Sequence, residues 1–276
     1  MTIDLHAHTT ASDGVLSPAQ LLALAYECGV TTLAITDHDT TEGIAPAQKA
    51  AAMLGITLIP GIELSAETEA DGSIDILGYF IDLDNDAFQE RLRGFHESRY
   101  HRGRAMVRKL NELGIALTFE QVAAQAKDAP ITRPHIGRAM VAAGYVKTLQ
   151  DAFDGYLAND GPAYVNRERM SPVEAAALIR SVGGVPVMAH PGRIKNGEAV
   201  LRRLAAAGLE AVELYHPQND EDVRAYISAI AAEYDMITTG GSDFHKPSAD
   251  GSIWLGTYNP PEGALERLRA KAASQS

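Results

Sequence analysis

Residues Met1–Asp13, MTIDLHAHTTASD, start with a short strand, Thr2 to Leu5, that runs straight into two histidines. A strand alternates its side chains between faces, so His6 and His8 point the same way and two imidazoles converge at one strand end. Asp13 follows five residues after His8, near enough to fold back over the pair. Nothing in between has the apolar periodicity that would hide either histidine in a core. This is the form of a first metal-ligand cluster. His-x-His alone is weak evidence, so its weight depends on whether more ligand-type residues arrive at equivalent places further on.

Working outward, Ser17-Pro18 reads as an N-cap followed by proline in the first helical turn, and the alanine- and leucine-rich run to Cys28 stops at Gly29. Thr31 to Thr36 (TTLAIT) is a compact strand, followed by Asp37, His38 and Asp39 and then a helix from Gly43 to Leu54 closed by Gly55. Ile56 to Leu64 (ITLIPGIEL) is a third strand carrying Glu63 near its end, and Ile74 to Ile81 (IDILGYFI) pairs beside it across a turn at Asp71-Gly72. The pattern to this point is βαβαββ. From Asn85 to Asn159 long helical patterns take over with no convincing strand, which predicts an inserted helical domain over 85–159 within a barrel formed by 1–84 and 160–276.

The barrel pattern resumes at Ser171-Pro172-Val173-Glu174, which meets the N-cap, first-turn proline and capping-box rules together. Strands are expected at Val185 to Ala189, ending in His190; at Leu209 to Tyr215, ending in His216; and at Met236 to Gly240, leading to Asp243 and His245. Helices follow the first two, and a short strand at Ile253 to Tyr258 and a helix from Glu262 to Ala272 close the chain.

His6, His8, His38, Glu63, His190, Asp243 and His245 therefore all fall at or just past the carboxyl end of a predicted strand. In a β/α barrel those ends share one face, and that face carries the active site. A single histidine after a strand is ordinarily structural, but that explanation must be invoked separately for every strand here. Imidazoles and carboxylates without thiolates suit a mid-row divalent ion, manganese first, with iron or zinc as alternatives. There are too many ligands for one ion. A carboxylate bridges two cations where a histidine cannot, and Glu63 is the best placed bridge. Asp75, one strand further on, adds a carboxylate if the register is right; otherwise it is an ordinary strand-start aspartate.

Composition is compatible with this reading. A chain of 276 residues, 46% hydrophobic and 22% charged, is ordinary for a soluble globular protein of barrel size. The single cysteine, Cys28, excludes an intrachain disulfide and thiolate-rich zinc sites and fits a reducing cytoplasm. No leader-like N-terminus and no membrane-length apolar run is present, so a cytoplasmic location is expected. The formal charge is −12, yet between Arg91 and Arg138 ten Lys/Arg, Lys127 among them, face four acids that include Asp128. That basic island is either a solvated helical face or an anion-binding surface.

The motifs DLHAHTTASDG, ITDHDT, GIELS, MAHPGR and GSDFH resemble the five signature blocks of the polymerase and histidinol phosphatase (PHP) family of metal-dependent phosphoesterases, in order and spacing as well as residue type. The resemblance implies a distorted seven-stranded β/α barrel with two or three divalent metals. By motif position one metal takes His6, His8, Glu63 and Asp243; a second shares Glu63 with His190; a third takes Asp13, His38 and His245. Asp75 stands where many members have histidine, so the second metal uses the aspartate or is held more weakly. The insert block RPHIGRAM, Arg133 to Met140, looks like that of the bacterial branch that removes the 3′-phosphate of nucleoside 3′,5′-bisphosphates and trims short 5′-phosphorylated RNA.

Arg133, His135 and Arg138 lie near a helix N-terminus, where arginine's planar fork suits phosphate, and Arg104 is placed to join them from the preceding helix. Each has a surface salt bridge as its competing explanation. The implied reaction is hydrolysis of a phosphomonoester by a hydroxide held between two ions about 3.5–4 Å apart. The leaving group takes its proton from metal-bound water, His190 or His216, and His216 is equally readable as a supporting residue. No membrane association and no obligate protein partner is implied. Two rivals stand beside this: an amidohydrolase barrel cleaving C–N or C–O bonds, which commonly uses a carbamylated strand-end lysine that no strand here supplies, and a non-catalytic PHP module.

Overall fold

Beside the second strand, at Gly61, a Cβ would lie 2.9 Å from the Ile35 carbonyl and 3.1 Å from that of Gly78, so only glycine lets three backbones come together there. The barrel turns on that point. In the computed structural model, which describes residues 1–126, 131–165 and 170–275, strand β1 (Thr2–Asp4) pairs in parallel with β2 (Val30–Ile35), and β2 with the start of β3 (Thr57–Thr68). From Gly61 onward β3 instead pairs antiparallel with β4 (Gly72–Tyr79), which pairs antiparallel with β5 (Val185–Met188). Parallel pairing resumes through β6 (Ala211–Tyr215) and β7 (Ile237–Gly240). Spatial order follows chain order throughout the sheet.

The two edges of the sheet meet. Leu5 N donates to the Gly240 carbonyl at 3.2 Å, His8 N to that of Phe244 at 2.9 Å, and Ala7 and Phe244 form a parallel bridge. The result is the distorted seven-stranded β/α barrel, with reversed β4 as its distortion. Inside it, Leu5, Ala34, Ile59, Leu77, Val187, Ala211 and Ile237 contribute one side chain from each strand or its extension, all buried in one cluster.

Helices α1 (Pro18–Glu27) and α2 (Ile44–Leu54) follow β1 and β2, and the chain leaves the barrel through α3 (Asp86–Glu112). Helices α4 (Phe119–Ala126), α5 (Arg133–Ala142) and α6 (Leu149–Ala152), the last continued by a π turn over Phe153–Leu157, precede the return through α7 (Pro172–Arg180), α8 (Gly197–Ala206), α9 (Glu221–Glu233) and α10 (Ala264–Ala273). Ser17 caps α1 and Ser171 caps α7 with reciprocal boxes to Gln20 and Glu174, and Asp220 caps α9. Each such cap contributes about 1 kcal/mol. From α10, Leu265, Leu268 and Ala272 join the barrel's inner cluster. Among the described residues no helix is long and apolar enough to cross a membrane.

The chain divides into two compact units, Met1–Gln89 with Arg169–Ser276, and Glu90–Glu168. The second has its own core, in which Met106, Leu110, Val122, Ile136, Met140 and Leu157 are buried together. Lys127 and Asp128 of the basic run lie outside the described residues.

Two expectations need correction. Glu63 lies in the middle of β3 and not near its end, because the hairpin with β4 carries the strand on to Thr68. The strand expected at Ile253 to Tyr258 is a turn: Gly256 takes a left-handed conformation (φ 77°) that a ladder cannot hold, and the segment is tied to β1 through side chains, Ile3 N to Asn259 Oδ1 at 2.6 Å and Gly256 N to Asp4 Oδ2 at 2.7 Å.

Candidate metal centre

The rim residues come from every part of the barrel. The extension of β1 supplies His6 and His8, the end of β2 His38, mid-β3 Glu63, β4 Asp75, and the segments after β5 and β7 His190, Asp243 and His245. Asp13 arrives on the first loop. That loop is folded back by buried Asp37, which accepts from Thr9 N and Thr9 Oγ1 at 2.7 Å each and from Ser12 Oγ at 2.6 Å. His190 (φ 28°) and Asp243 (φ 52°) sit in left-handed backbone conformations. Such conformations are costly for residues with a Cβ and persist only where surrounding contacts enforce them, typically at functional sites.

Three groups of donor atoms result, each gathered within 4.8 Å: His6, His8, Glu63 and Asp243; Glu63, Asp75 and His190; and His8, Asp13, His38 and His245. Glu63 Oε2 lies 3.4 Å from His6 Nε2, 3.2 Å from His8 Nε2 and 3.2 Å from His38 Nδ1, while its Oε1 is 2.9 Å from His190 Nε2. Asp243 Oδ1 is 3.4 Å from His6 Nε2 and 3.2 Å from His8 Nε2. His245 Nε2 reaches Asp13 Oδ1 at 3.1 Å. His8 belongs to two of the groups.

The donor atoms fit cations better than they fit each other. His6 Nε2, both nitrogens of His8, His38 Nδ1, Glu63 Oε2 and Asp243 Oδ1 are buried without an aligned hydrogen bond. Leaving one buried polar atom unpaired costs about 1–3 kcal/mol, and here six lie within the three donor groups. Nitrogen and carboxylate donors without thiolate suit mid-row divalent ions. The third group is the most open, with the His38 and His245 side chains 20% and 27% exposed against 0% for His6 and His8.

Electrostatics agree with this arrangement. Burial opposes protonation of His6, but Glu213, Asp243 and Glu63 outweigh it and hold the imidazole well above its usual range. Burial likewise opposes a charge on His8, yet the Asp243 and Glu63 carboxylates beside it push it up to about 10. Burial would raise Glu63 and Asp243, but the surrounding imidazoles, His38 and His6 for the first, His6 and His245 for the second, keep both well below the carboxylate range. A cage of ionised carboxylates thus binds positive charge, protons or metal. His216 differs: burial dominates and lowers it. Its Nδ1 accepts from Gln218 N at 3.0 Å, so Nε2 carries the hydrogen and faces Asp243 Oδ2 at 3.4 Å.

Two residues of the site were not singled out from sequence. Glu213 on β6 is fully buried; its Oε1 accepts from His6 Nδ1 at 3.0 Å and its Oε2 from His190 N at 2.8 Å, leaving His6 Nε2 as a lone pair aimed at the centre. An acid flanked by apolar residues in AVELY was the available signal. Arg193, in the MAHPGR block, sets Nη2 2.8 Å from Asp243 Oδ2 and keeps its side chain 44% exposed.

In the helical unit, Arg133 donates to the Leu157 carbonyl at 3.2 Å and to Asn159 Oδ1 at 2.6 Å. Buried His135 closes the cap of α5, its Nδ1 accepting from Thr132 N at 3.1 Å. The Arg104 guanidinium rests against the Tyr100 and Phe119 rings. Arg138 lies in α5.

A β/α barrel whose rim gathers such a set of imidazoles and carboxylates defines a metal-dependent hydrolase of the phosphoesterase kind. The chain belongs to the PHP domain family, whose model matches residues 4–159. It is 37% identical over 250 residues to the 5′-3′ exoribonuclease Rnm of Escherichia coli (strain K12), covering 88% of this chain and 85% of that protein. It is 35% identical over 255 residues to the 3′,5′-nucleoside bisphosphate phosphatase of Chromobacterium violaceum, covering 90% and 89%. Among solved structures, a candidate metal-dependent phosphoesterase from Bifidobacterium adolescentis superposes with a TM-score of 0.88 at 31% identity, covering 98% of this chain and 96% of that one.

Proposed function

We propose that this phosphoesterase removes the 3′-phosphate from nucleoside 3′,5′-bisphosphates such as adenosine 3′,5′-bisphosphate, trims short 5′-phosphorylated RNA, and does so in the cytoplasm with two or three divalent ions, manganese first among them. The observation that carries the reading is the bridging position of Glu63, whose two oxygens face four imidazoles from the extensions of three strands. The relatives named above act, by their names, on nucleoside bisphosphates and on RNA.

Divalent ions in such a centre supply Lewis acidity toward water and the phosphoryl oxygens. The chain supplies the rest. His6, His8, Glu63 and Asp243 would hold one ion, Glu63, Asp75 and His190 a second, and Asp13, His38 and His245 a third. Arg193, anchored on Asp243 but half open to solvent, neutralises charge on the phosphoryl group. His216, neutral and donating to Asp243, orients that carboxylate, and His190 serves as a donor of the second group. Arg104, Arg133, His135 and Arg138 of the basic run are the candidates for binding the second phosphate, and Arg133 and His135 also hold the helical unit together.

Phosphate release by the manganese-loaded protein from adenosine 3′,5′-bisphosphate, adenosine 5′-monophosphate and a short 5′-phosphorylated RNA tests the reading. The bisphosphate and the RNA are expected to turn over well ahead of the monophosphate. Preference for the monophosphate, or no release from any of the three, overturns it.

A further inference from the structure

Beside the metal centre, within the barrel unit, lies a cavity of about 360 Å³ that shares Asp243, His245 and His216 with it and is lined further out by Arg193, Lys246 and Trp254. Its size is at the lower end of small-molecule pockets, enough for one nucleoside-sized group. Trp254 is 44% exposed, and its only ring neighbour among the described residues is Tyr258, edge-on at 6.3 Å. A large, partly exposed aromatic ring in the lining of such a cavity offers a face for stacking. The cations of Arg193 and Lys246 beside it favour an aromatic group that carries negative charge.

The platform is held in register with the chemistry. Asp4 Oδ2 accepts from Gly256 N at 2.7 Å, and the Trp254 carbonyl accepts from Thr257 N at 2.9 Å, which fixes the turn that carries the indole. The other oxygen of the same buried carboxylate accepts from Ser242 N at 2.9 Å and His6 N at 3.2 Å, the segments that carry Asp243 and the first imidazole. One side chain therefore ties the ring and the metal-binding segments to a common point.

We propose that this cavity is the nucleobase subsite: the base of the nucleotide whose phosphate is under attack stacks on Trp254, while Arg193 and Lys246 face the negative charge between base and metal centre. The proposal rests on the nucleotide phosphoesterase reading and names where that substrate's base goes. Every base has a π face, so stacking of this kind tolerates any of them.

Trp254 is the single tryptophan of the chain, so its fluorescence reports the subsite without catalysis. Adenosine 5′-monophosphate is expected to quench it saturably and ribose 5-phosphate to leave it nearly unchanged; equal responses overturn the proposal. In Trp254→Ala, the KM for adenosine 3′,5′-bisphosphate relative to that for ribose 5-phosphate should rise about tenfold, the usual size of one lost base stack, and Trp254→Phe should recover most of it. No change in that ratio also overturns it. Quenching by the nucleotide in a protein that hydrolyses no nucleotide sinks the functional reading alone, whereas hydrolysis without quenching sinks the subsite alone. A 5′-phosphorylated dinucleotide in the same titration separates the two sources of the base, with tighter quenching assigning the stack to an RNA end and equal quenching to a mononucleotide.

Discussion

His8 is the side chain on which two of the three donor groups converge, and neither of its nitrogens has a hydrogen-bond partner of its own. Substituting His8→Ala removes a donor that either group could use. Turnover should fall by at least about a thousandfold, and bound metal, measured by elemental analysis of the purified protein, should drop with it; full activity at unchanged metal content would refute the assignment. Glu213 acts at one remove. Its carboxylate takes the Nδ1 hydrogen of His6 and the backbone hydrogen of His190, so Glu213→Gln should weaken metal binding about 10- to 100-fold while leaving the ligands themselves in place. Titration of the metal-free variant with manganese checks this, and an affinity equal to that of the parent would show that Glu213 only fills space.

At the scale of elements, the change of pairing along β3 is what puts Glu63 at the centre. Up to Pro60 the strand follows β2, and from Gly61 it follows reversed β4, so the residue two places later points to the rim from mid-strand. Gly61→Ala would force a Cβ against two backbone carbonyls that cannot yield cheaply. A loss of about 1–3 kcal/mol in unfolding free energy is expected, the usual cost of overpacking, together with reduced activity because Glu63 moves with the strand. Denaturant unfolding of parent and variant measures the first, and a stability equal to the parent's would mean that the neighbouring strands adjust freely. The helices were readable in advance for a local reason. Ser17, Ser171 and Asp220 satisfy backbone donors within one turn of themselves, so their caps owe nothing to distant residues.

For the molecule as a whole, a centre that concentrates ionised carboxylates around imidazoles links stability to pH and metal. In the metal-free protein His8 is raised from 6.5 to about 10, so its contribution is fully present below about pH 6.5 and is lost as pH rises toward 10. Glu63 is lowered from 4.5, so its contribution is present above that value and is lost as pH falls through the depressed one. Stability without metal should therefore be greatest between about pH 4.5 and 6.5 and should decline from pH 7 to 10. Divalent ions take the place of those protons, so the manganese-loaded protein should lack the decline on the alkaline side and should bind metal less tightly in acid. Melting temperatures of chelator-treated and metal-loaded protein across this range decide it, and parallel curves would count against the cluster as the source.

Sequence by itself determined the alternation of strands and helices, the helical insert, and which imidazoles and carboxylates stand at strand ends, because caps, periodicity and motif spacing are local properties of a chain. His6, His8, His38, His190, Asp243 and His245 were legible in that way, and Asp13 and Glu63 by motif spacing. Only the tertiary structure decided that β3 continues past Glu63, that Ile253 to Tyr258 is a turn, that Glu213 stands behind His6 and that Arg193 and Trp254 flank the centre. These depend on register between strands and on side chains meeting across long stretches of chain, 207 residues between His6 and Glu213, and no local pattern records a contact whose two halves are specified so far apart.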